Sequence, residues 1–189
     1  MLLTYITYDQ DLPFGFCDEL VKMSRHFNLV EAKIGRDGDQ VLIDEVRNTR
    51  IAWLNNKEIN DILYFYAVKA NTDANWNFDL AASEIPQVSF YEKGNFYDWH
   101  YDTGSEKADE DLQRKITVTV TLTDQYKGGD LQVQKWVHPQ EPDNFSTIKA
   151  MRNRGSVCVF PSYIFHRINK VHNGERVALT SWFRGRKFS

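Results

Sequence analysis

Cysteine is scarce in this chain: Cys17 and Cys158 are the only two among 189 residues. Two thiols give little ground for a disulfide framework or a cysteine-based zinc site, and they fit a reducing compartment. Cys158 lies in the apolar run "SVCVFP" and reads as core. Long apolar runs are missing too. No stretch approaches the roughly 20 residues that cross a bilayer, and the start, "MLLTYITYDQ", lacks the charged region and apolar run of a signal peptide. The expected location is the cytoplasm, with no membrane partner. An excess of basic residues is also lacking: 23 Lys and Arg stand against 26 Asp and Glu, for a net charge of -3. No global basic field invites nucleic acid. Internal repeats and low-complexity linkers are absent.

Aromatics are plentiful, at 14% of the chain, which is too rich for disorder. The length favours one domain, 1–189. A chain of that size buries roughly 70% of its unfolded surface. In "GFCDELVKMSRHF" (15–27), Phe16, Leu20, Met23 and Phe27 recur about one turn apart, which predicts a helix. A second helix is predicted over 55–71. Asn55 is placed to cap it with Glu58 as reciprocal partner, and Ile59, Ile62, Leu63, Tyr66 and Ala70 form its apolar stripe.

After Trp76 the segments become short, β-branched and aromatic: "QVSFYE", "FYDWHYD", "KITVTVTLT", "DLQVQKWV", "SVCVFP", "YIFHRINKV" and "RVALTSWF". Asn173-Gly174 is a hairpin signal. Many short strands in series point to a mainly β sandwich or barrel, with flanking helices from the N-terminal part covering one face. The parity of two strands is informative. Ile116, Val118, Val120 and Leu122 share one face of "KITVTVTLT", and Thr117, Thr119, Thr121 and Thr123 the other. In "RVALTSWF", Arg176, Ala178, Thr180 and Trp182 share a face. Such a face is either exposed to solvent or the wall of a cavity with one charged end.

"FYDWHYDTG" (96–104) holds His100 and Asp102 two residues apart, so on a strand they project to one side. Tyr97, Trp99 and Tyr101 are expected on the other. A His-x-Asp pair alone is weak evidence, since a hydrogen-bonded surface pair has the same pattern. His166, in a strand after the Phe160-Pro161 bend, adds a third donor. Two imidazoles and one carboxylate form the facial triad of non-haem iron(II), with three octahedral positions left open. Arg176 follows ten residues after His166, and its planar guanidinium can hold a carboxylate by two parallel hydrogen bonds. Thr180 lies on the same face. The other histidines, His26, His138 and His172, read as non-ligands.

"FYEKGNFYDWHYD", "RKITVTVTLTDQYKGGDLQV" and "GSVCVFPSYIFHRINKVHNGERVALTSWFRG" resemble the prolyl and lysyl hydroxylase branch of the iron(II)/2-oxoglutarate dioxygenases, most closely its small bacterial and phage-type members. The likeness is strong over 85–186 and looser over the helices. It implies a double-stranded β-helix, or jelly roll, as the catalytic core at 85–186, with 1–80 as helical support and first strands. It implies His100, Asp102 and His166 as iron ligands, Arg176 on the far carboxylate of 2-oxoglutarate, and Tyr91 beside that cosubstrate. Thr180, Trp182 and Leu131 match pocket-lining positions. Thr121 stands near the place where the family often has an aromatic hydroxyl. The implied reaction consumes 2-oxoglutarate and dioxygen, releases succinate and carbon dioxide, and hydroxylates an unactivated C–H bond; ascorbate is an optional addition. Asp102 excludes the related halogenases, which lack a carboxylate there.

The implied substrate is a prolyl or lysyl side chain in a peptide or protein, or a free amino acid; a monomer is favoured, in host cytoplasm if phage-encoded. Specificity is expected in segments 35–40, 103–114 and 138–154. The acidic run "SEKADEDLQRK" (105–115) is a solvated loop or a flap beside the site. Two other readings stay open: a jelly-roll binding module without turnover, and a zinc hydrolase using the same three ligands, which would leave Arg176 unexplained.

Overall fold

The structure is a computed structural model that describes residues 3–27, 29–32, 47–103, 111–134 and 144–187. A short strand β1 (Ile6–Tyr8) leads into helix α1 (Phe14–Arg25), three strands β2 (Val30–Glu31), β3 (Arg47–Asn48) and β4 (Arg50–Trp53), and helix α2 (Lys57–Asp73). Then come β5 (Ala82–Ser83), β6 (Gln87–Tyr91), β7 (Phe96–His100), β8 (Leu112–Thr121), β9 (Tyr126–Gly128), β10 (Leu131–Gln134) and β11 (Phe145–Thr147). A 3-10 turn (Lys149–Arg152) precedes β12 (Val157–Pro161), β13 (His166–Ile168), β14 (Val171–Gly174) and β15 (Arg176–Arg186).

Both helices form where the apolar spacing predicts them. In α1, Cys17, Leu20 and Ser24 are buried, while Phe27 falls beyond the helix end and stays exposed. The cap of α2 is Asn56, one residue later than expected: its side chain accepts the Ile59 N–H at 3.1 Å. That leaves Glu58 in the first turn, where it complements the helix dipole instead of closing a capping box. Ile59, Leu63, Tyr66, Ala67 and Ala70 face the core.

The large sheet runs β1-β12-β8-β15-β6-β4-β2, with β5 on the far end of β15. The small sheet runs β11-β10-β13-β7-β3, and β14 pairs with β9 in a sheet of two strands. All pairings are antiparallel. Two facing antiparallel sheets backed by two helices make a jelly roll, as expected. The N-terminal part supplies more than support: β1, β2 and β4 extend the large sheet and β3 edges the small one.

The parity of β8 and β15 sorts their residues as read from the sequence. Ile116, Val118, Val120 and Leu122, with Val177, Leu179 and Phe183, join the helices in one buried cluster. The opposite faces turn toward the small sheet. A second cluster there contains Tyr91, Leu131, Phe160, Ile168 and Val171. Arg176, Ala178, Thr117, Thr119 and Thr121 are all buried, so this face is an interior wall between the sheets and not a solvent face.

Asn173-Gly174 does not make the expected hairpin. β14 pairs with β9, whereas β15 pairs with β6 and β8, so the dipeptide turns a corner between sheets. Gly174 has φ +72°, and a Cβ there would stand 2.2 Å from the Gln125 carbonyl oxygen. Close backbone approach, not turn type, requires the glycine.

Candidate active site

His100 ends β7 and His166 begins β13, and the two are direct partners across the antiparallel pair. Asp102 lies just past the end of β7, where its N–H donates to the Ser162 carbonyl at 2.8 Å. Thr117 donates its hydroxyl to Asp102 Oδ2 at 2.9 Å and lies 3.0 Å from the Ser162 hydroxyl. Asp102 Oδ1 is 3.6 Å from His100 Nε2, and Oδ2 is 3.4 Å from His166 Nε2. The three donor atoms all lie within 4.8 Å of one another, and theirs is the one such group among the described residues.

Ring orientation is fixed from behind. His100 Nδ1 is 2.6 Å from the Asp98 carbonyl oxygen, and His166 Nδ1 is 2.8 Å from that of Ile164. A carbonyl can only accept, so each Nδ1 carries the proton and each Nε2 lone pair faces the common point. Burial would raise the Asp102 pKa, but His166, His100 and Arg114 outweigh it and hold the carboxyl well below its usual range. Burial, with help from His100, pushes His166 down to about 4 against the pull of Asp102. At neutral pH His166 is therefore a neutral imidazole and Asp102 a carboxylate. The borderline imidazole nitrogens and the hard carboxylate oxygen suit iron(II).

Tyr97 departs from the expected parity. His166 pairs with His100 but Ile168 pairs with Tyr97, so β7 carries one extra residue across that interval. The bulge turns Tyr97 onto the metal face. There it stacks on His100 with ring centroids 3.5 Å apart. Trp99 and Tyr101 do take the opposite side, where both rings meet Phe165. Burial pushes the Tyr97 pKa up to about 12, so its phenol stays a hydrogen-bond donor.

From Thr117 the inner wall runs in paired steps: Trp182 against Thr117, Thr180 between Thr119 and Gln87, Ala178 between Thr121 and Ser89, and Arg176 against Tyr91. The Thr180 hydroxyl donates to Thr119 at 3.2 Å. Thr121 donates to the Met151 carbonyl at 2.7 Å, so its one proton is already committed. Leu131 is buried on the facing small sheet, paired with Ile168. Arg176 is only 2% exposed; its Cζ lies 5.2 Å from the Tyr91 ring centroid, and its Nε has no hydrogen-bond partner among the described residues. A buried guanidinium with an idle donor is costly unless a ligand completes it. That fits a cosubstrate carboxylate.

Gly129 makes room for this arginine. It has φ +65°, and a Cβ would stand 3.0 Å from Arg176 Cδ and 2.9 Å from Val171 Cγ2. Gly129→Ala is expected to lower stability by about 1–3 kcal/mol through backbone strain. It should also weaken 2-oxoglutarate binding by shifting the guanidinium. Chemical denaturation and ligand titration of the same sample check both effects.

The approach to the site holds residues that strand parity does not flag. The Arg114 guanidinium lies 4.0 Å over the Trp182 ring, its Nε donates to Glu84 at 2.7 Å, and its Nη1 donates to the Asp102 carbonyl at 3.4 Å. Arg47, from the edge strand β3, places its guanidinium 4.5 Å from the Tyr97 ring centroid. Trp182 Nε1 is buried with no partner among the described residues. Arg47 and Glu84 come from outside the motif-bearing strands, so no spacing rule reaches them. Of the remaining histidines, His26 and His172 lie exposed away from the triad. His138, the segment 35–40 and most of the acidic run fall outside the described residues.

Residues 86–184, more than half the chain, match the family model of the 2OG-Fe(II) oxygenase superfamily. The chain belongs to the 2OG-Fe(II) oxygenase superfamily, whose chemistry implies iron(II), 2-oxoglutarate and dioxygen. Within it, a PKHD-type hydroxylase of Rippkaea orientalis is 32% identical over 121 residues, which are 61% of this chain and 51% of that protein. The chain spans about half the length of the curated relatives it matches. Its fold is shared with the viral collagen prolyl hydroxylase of Paramecium Bursaria Chlorella virus-1, solved with 2OG, at a TM-score of 0.72, 21% identity and 97% coverage of both chains. A Trichoplax adhaerens prolyl hydroxylase, solved with a hypoxia inducible factor oxygen degradation domain peptide, superposes at 0.70 with 17% identity, covering 95% of this chain and 83% of its own. No helix among the described residues is long and apolar enough to cross a membrane.

Proposed function

We propose that the chain is an iron(II)- and 2-oxoglutarate-dependent dioxygenase that hydroxylates a C–H bond of a prolyl residue, or another amino-acid residue, in a peptide, protein or free amino acid. The observation that carries this reading is the interior between the two sheets, where the His100, Asp102 and His166 donors gather and where the large sheet buries the Arg176 guanidinium with its Nε unpartnered among the described residues. His100 and His166 would offer Nε2 and Asp102 a carboxylate oxygen to iron(II). The bound metal supplies oxidation of 2-oxoglutarate by dioxygen and, from it, the oxidant for the C–H bond.

The chain's own residues position and enclose. Thr117 and the Ser162 carbonyl hold Asp102 in one orientation, and two backbone carbonyls hold the imidazoles. Arg176 receives the far carboxylate of 2-oxoglutarate over the Tyr91 ring. Thr180 and Leu131 flank its path. Tyr97 and Trp182 form aromatic walls where a saturated ring such as proline would lie. Arg114, pinned by Glu84, holds Trp182 in place. Burial opposes the Arg114 charge, but Glu84 more than offsets it and the net shift of its pKa is upward.

The same reading treats 1–189 as one catalytic domain, monomeric and cytoplasmic, acting on a peptide or amino-acid substrate with ascorbate as an optional reductant. The test is succinate formation. Protein loaded with iron(II) and 2-oxoglutarate in air should release succinate slowly alone and faster with a proline-containing peptide or free L-proline. No succinate with any of these would favour a binding module. Ester hydrolysis by zinc-loaded protein would favour the hydrolase, which gives Arg176 no role.

A further inference from the structure

We propose that Tyr126 supplies the hydroxyl that joins Arg176 in holding the far carboxylate of 2-oxoglutarate, in place of the aromatic hydroxyl that relatives often carry at the position of Thr121. The inference rests on the dioxygenase reading and deepens it. The Thr121 hydroxyl proton goes to the Met151 carbonyl. Tyr126, on β9, brings its own hydroxyl to the same carbonyl from another direction, at 3.4 Å. An O–H···O bond of good strength is near 2.7 Å, so this proton is only loosely engaged and free to turn to a better acceptor. A carboxylate is that acceptor, because a hydrogen bond to a charged oxygen is about twice as strong as one to a neutral carbonyl.

The backbone places Tyr126 beside Arg176. β9 pairs with β14 so that Tyr126 stands opposite Gly174, two residues before Arg176. At Gly174 a Cβ would lie 2.9 Å from Tyr126 Cα. At Gly129 a Cβ would touch both groups, standing 3.4 Å from Tyr126 Cε2 and 3.0 Å from Arg176 Cδ. Two glycines thus leave the space in which phenol and guanidinium stems lie side by side. The idle Arg176 Nε shows that the polar requirement at this end is incomplete without a ligand.

The test is calorimetric titration of manganese(II)-loaded protein with 2-oxoglutarate and, separately, with oxalate, which chelates the metal but has no far carboxylate. Tyr126→Phe should weaken 2-oxoglutarate by about tenfold, as one charge-assisted hydrogen bond requires, and leave oxalate and the melting temperature unchanged. Equal weakening of both ligands, or of neither, overturns the assignment and leaves Tyr126 a structural partner of Met151. Thr121→Val separates the two hydroxyls: it should leave 2-oxoglutarate affinity intact, and a tenfold loss there instead would return the role to β8. Wild-type protein that binds oxalate but not 2-oxoglutarate would remove the dioxygenase reading and this assignment with it.

Discussion

His166→Ala binds no iron(II) at one equivalent and forms no succinate from 2-oxoglutarate, while the protein still folds. Two donors would remain, His100 and Asp102, two residues apart in the chain. His166 arrives from the partner strand, directly across from His100, as the third donor. Without it, binding depends on one imidazole and one carboxylate, and stoichiometric metal is not retained. Fold retention is expected because His166 sits at the start of a three-residue strand and makes one hydrogen bond, to the Ile164 carbonyl. The removed ring does leave a space beside Phe160, whose ring centroid is 4.7 Å away. Stability should therefore fall by about 1–3 kcal/mol. Metal content after anaerobic loading, read beside a melting curve, separates loss of the ligand from loss of the fold. Iron retained at one equivalent would end the triad assignment.

How much of this site could be read from sequence depended on how local its cause was. Strand parity is a strictly local property, and it sorted Ile116 to Leu122 and Val177 to Phe183 correctly between the helix-packed core and the face toward the small sheet. His100, Asp102 and His166 were legible because the donor types and their order are distinctive. Tyr97 was misplaced because a bulge is set by the partner strand: the extra residue between Tyr97 and His100 appears only in the pairing with His166 and Ile168. Asn173-Gly174 misled for a related reason. The dipeptide favours a hairpin, but β14 finds its hydrogen bonds on β9, and Gly174 serves the approach of Gln125. Arg47, Glu84 and Tyr126 carried no signal at all: β3 pairing with β7 brings in Arg47, β9 pairing with β14 sets Tyr126 opposite Gly174, and Glu84 is joined through Arg114.

Arg176→Ala raises the 2-oxoglutarate concentration needed for half-maximal turnover by at least tenfold, since losing a charge-assisted pair costs about 1.5–3 kcal/mol or more. The structure adds a second expectation that runs against ordinary core substitutions. Arg176 is 2% exposed, no acidic side chain among the described residues lies within ion-pair distance of it, and its Nε is idle. Among the described residues, the Tyr91 ring is the contact this charge makes. Arg176→Met keeps most of the apolar stem against Val171 and Tyr91 and removes the buried charge. It should therefore leave the ligand-free melting temperature unchanged or higher, while losing 2-oxoglutarate as fully as the alanine variant does. The Ala variant also opens a cavity and should melt lower than Met. A further asymmetry follows: saturating 2-oxoglutarate should raise the melting temperature of the wild type, as mass action requires, and should fail to raise that of either variant. If Met loses stability as steeply as Ala and still responds to 2-oxoglutarate, Arg176 is a structural residue and the carboxylate anchor lies elsewhere on the wall.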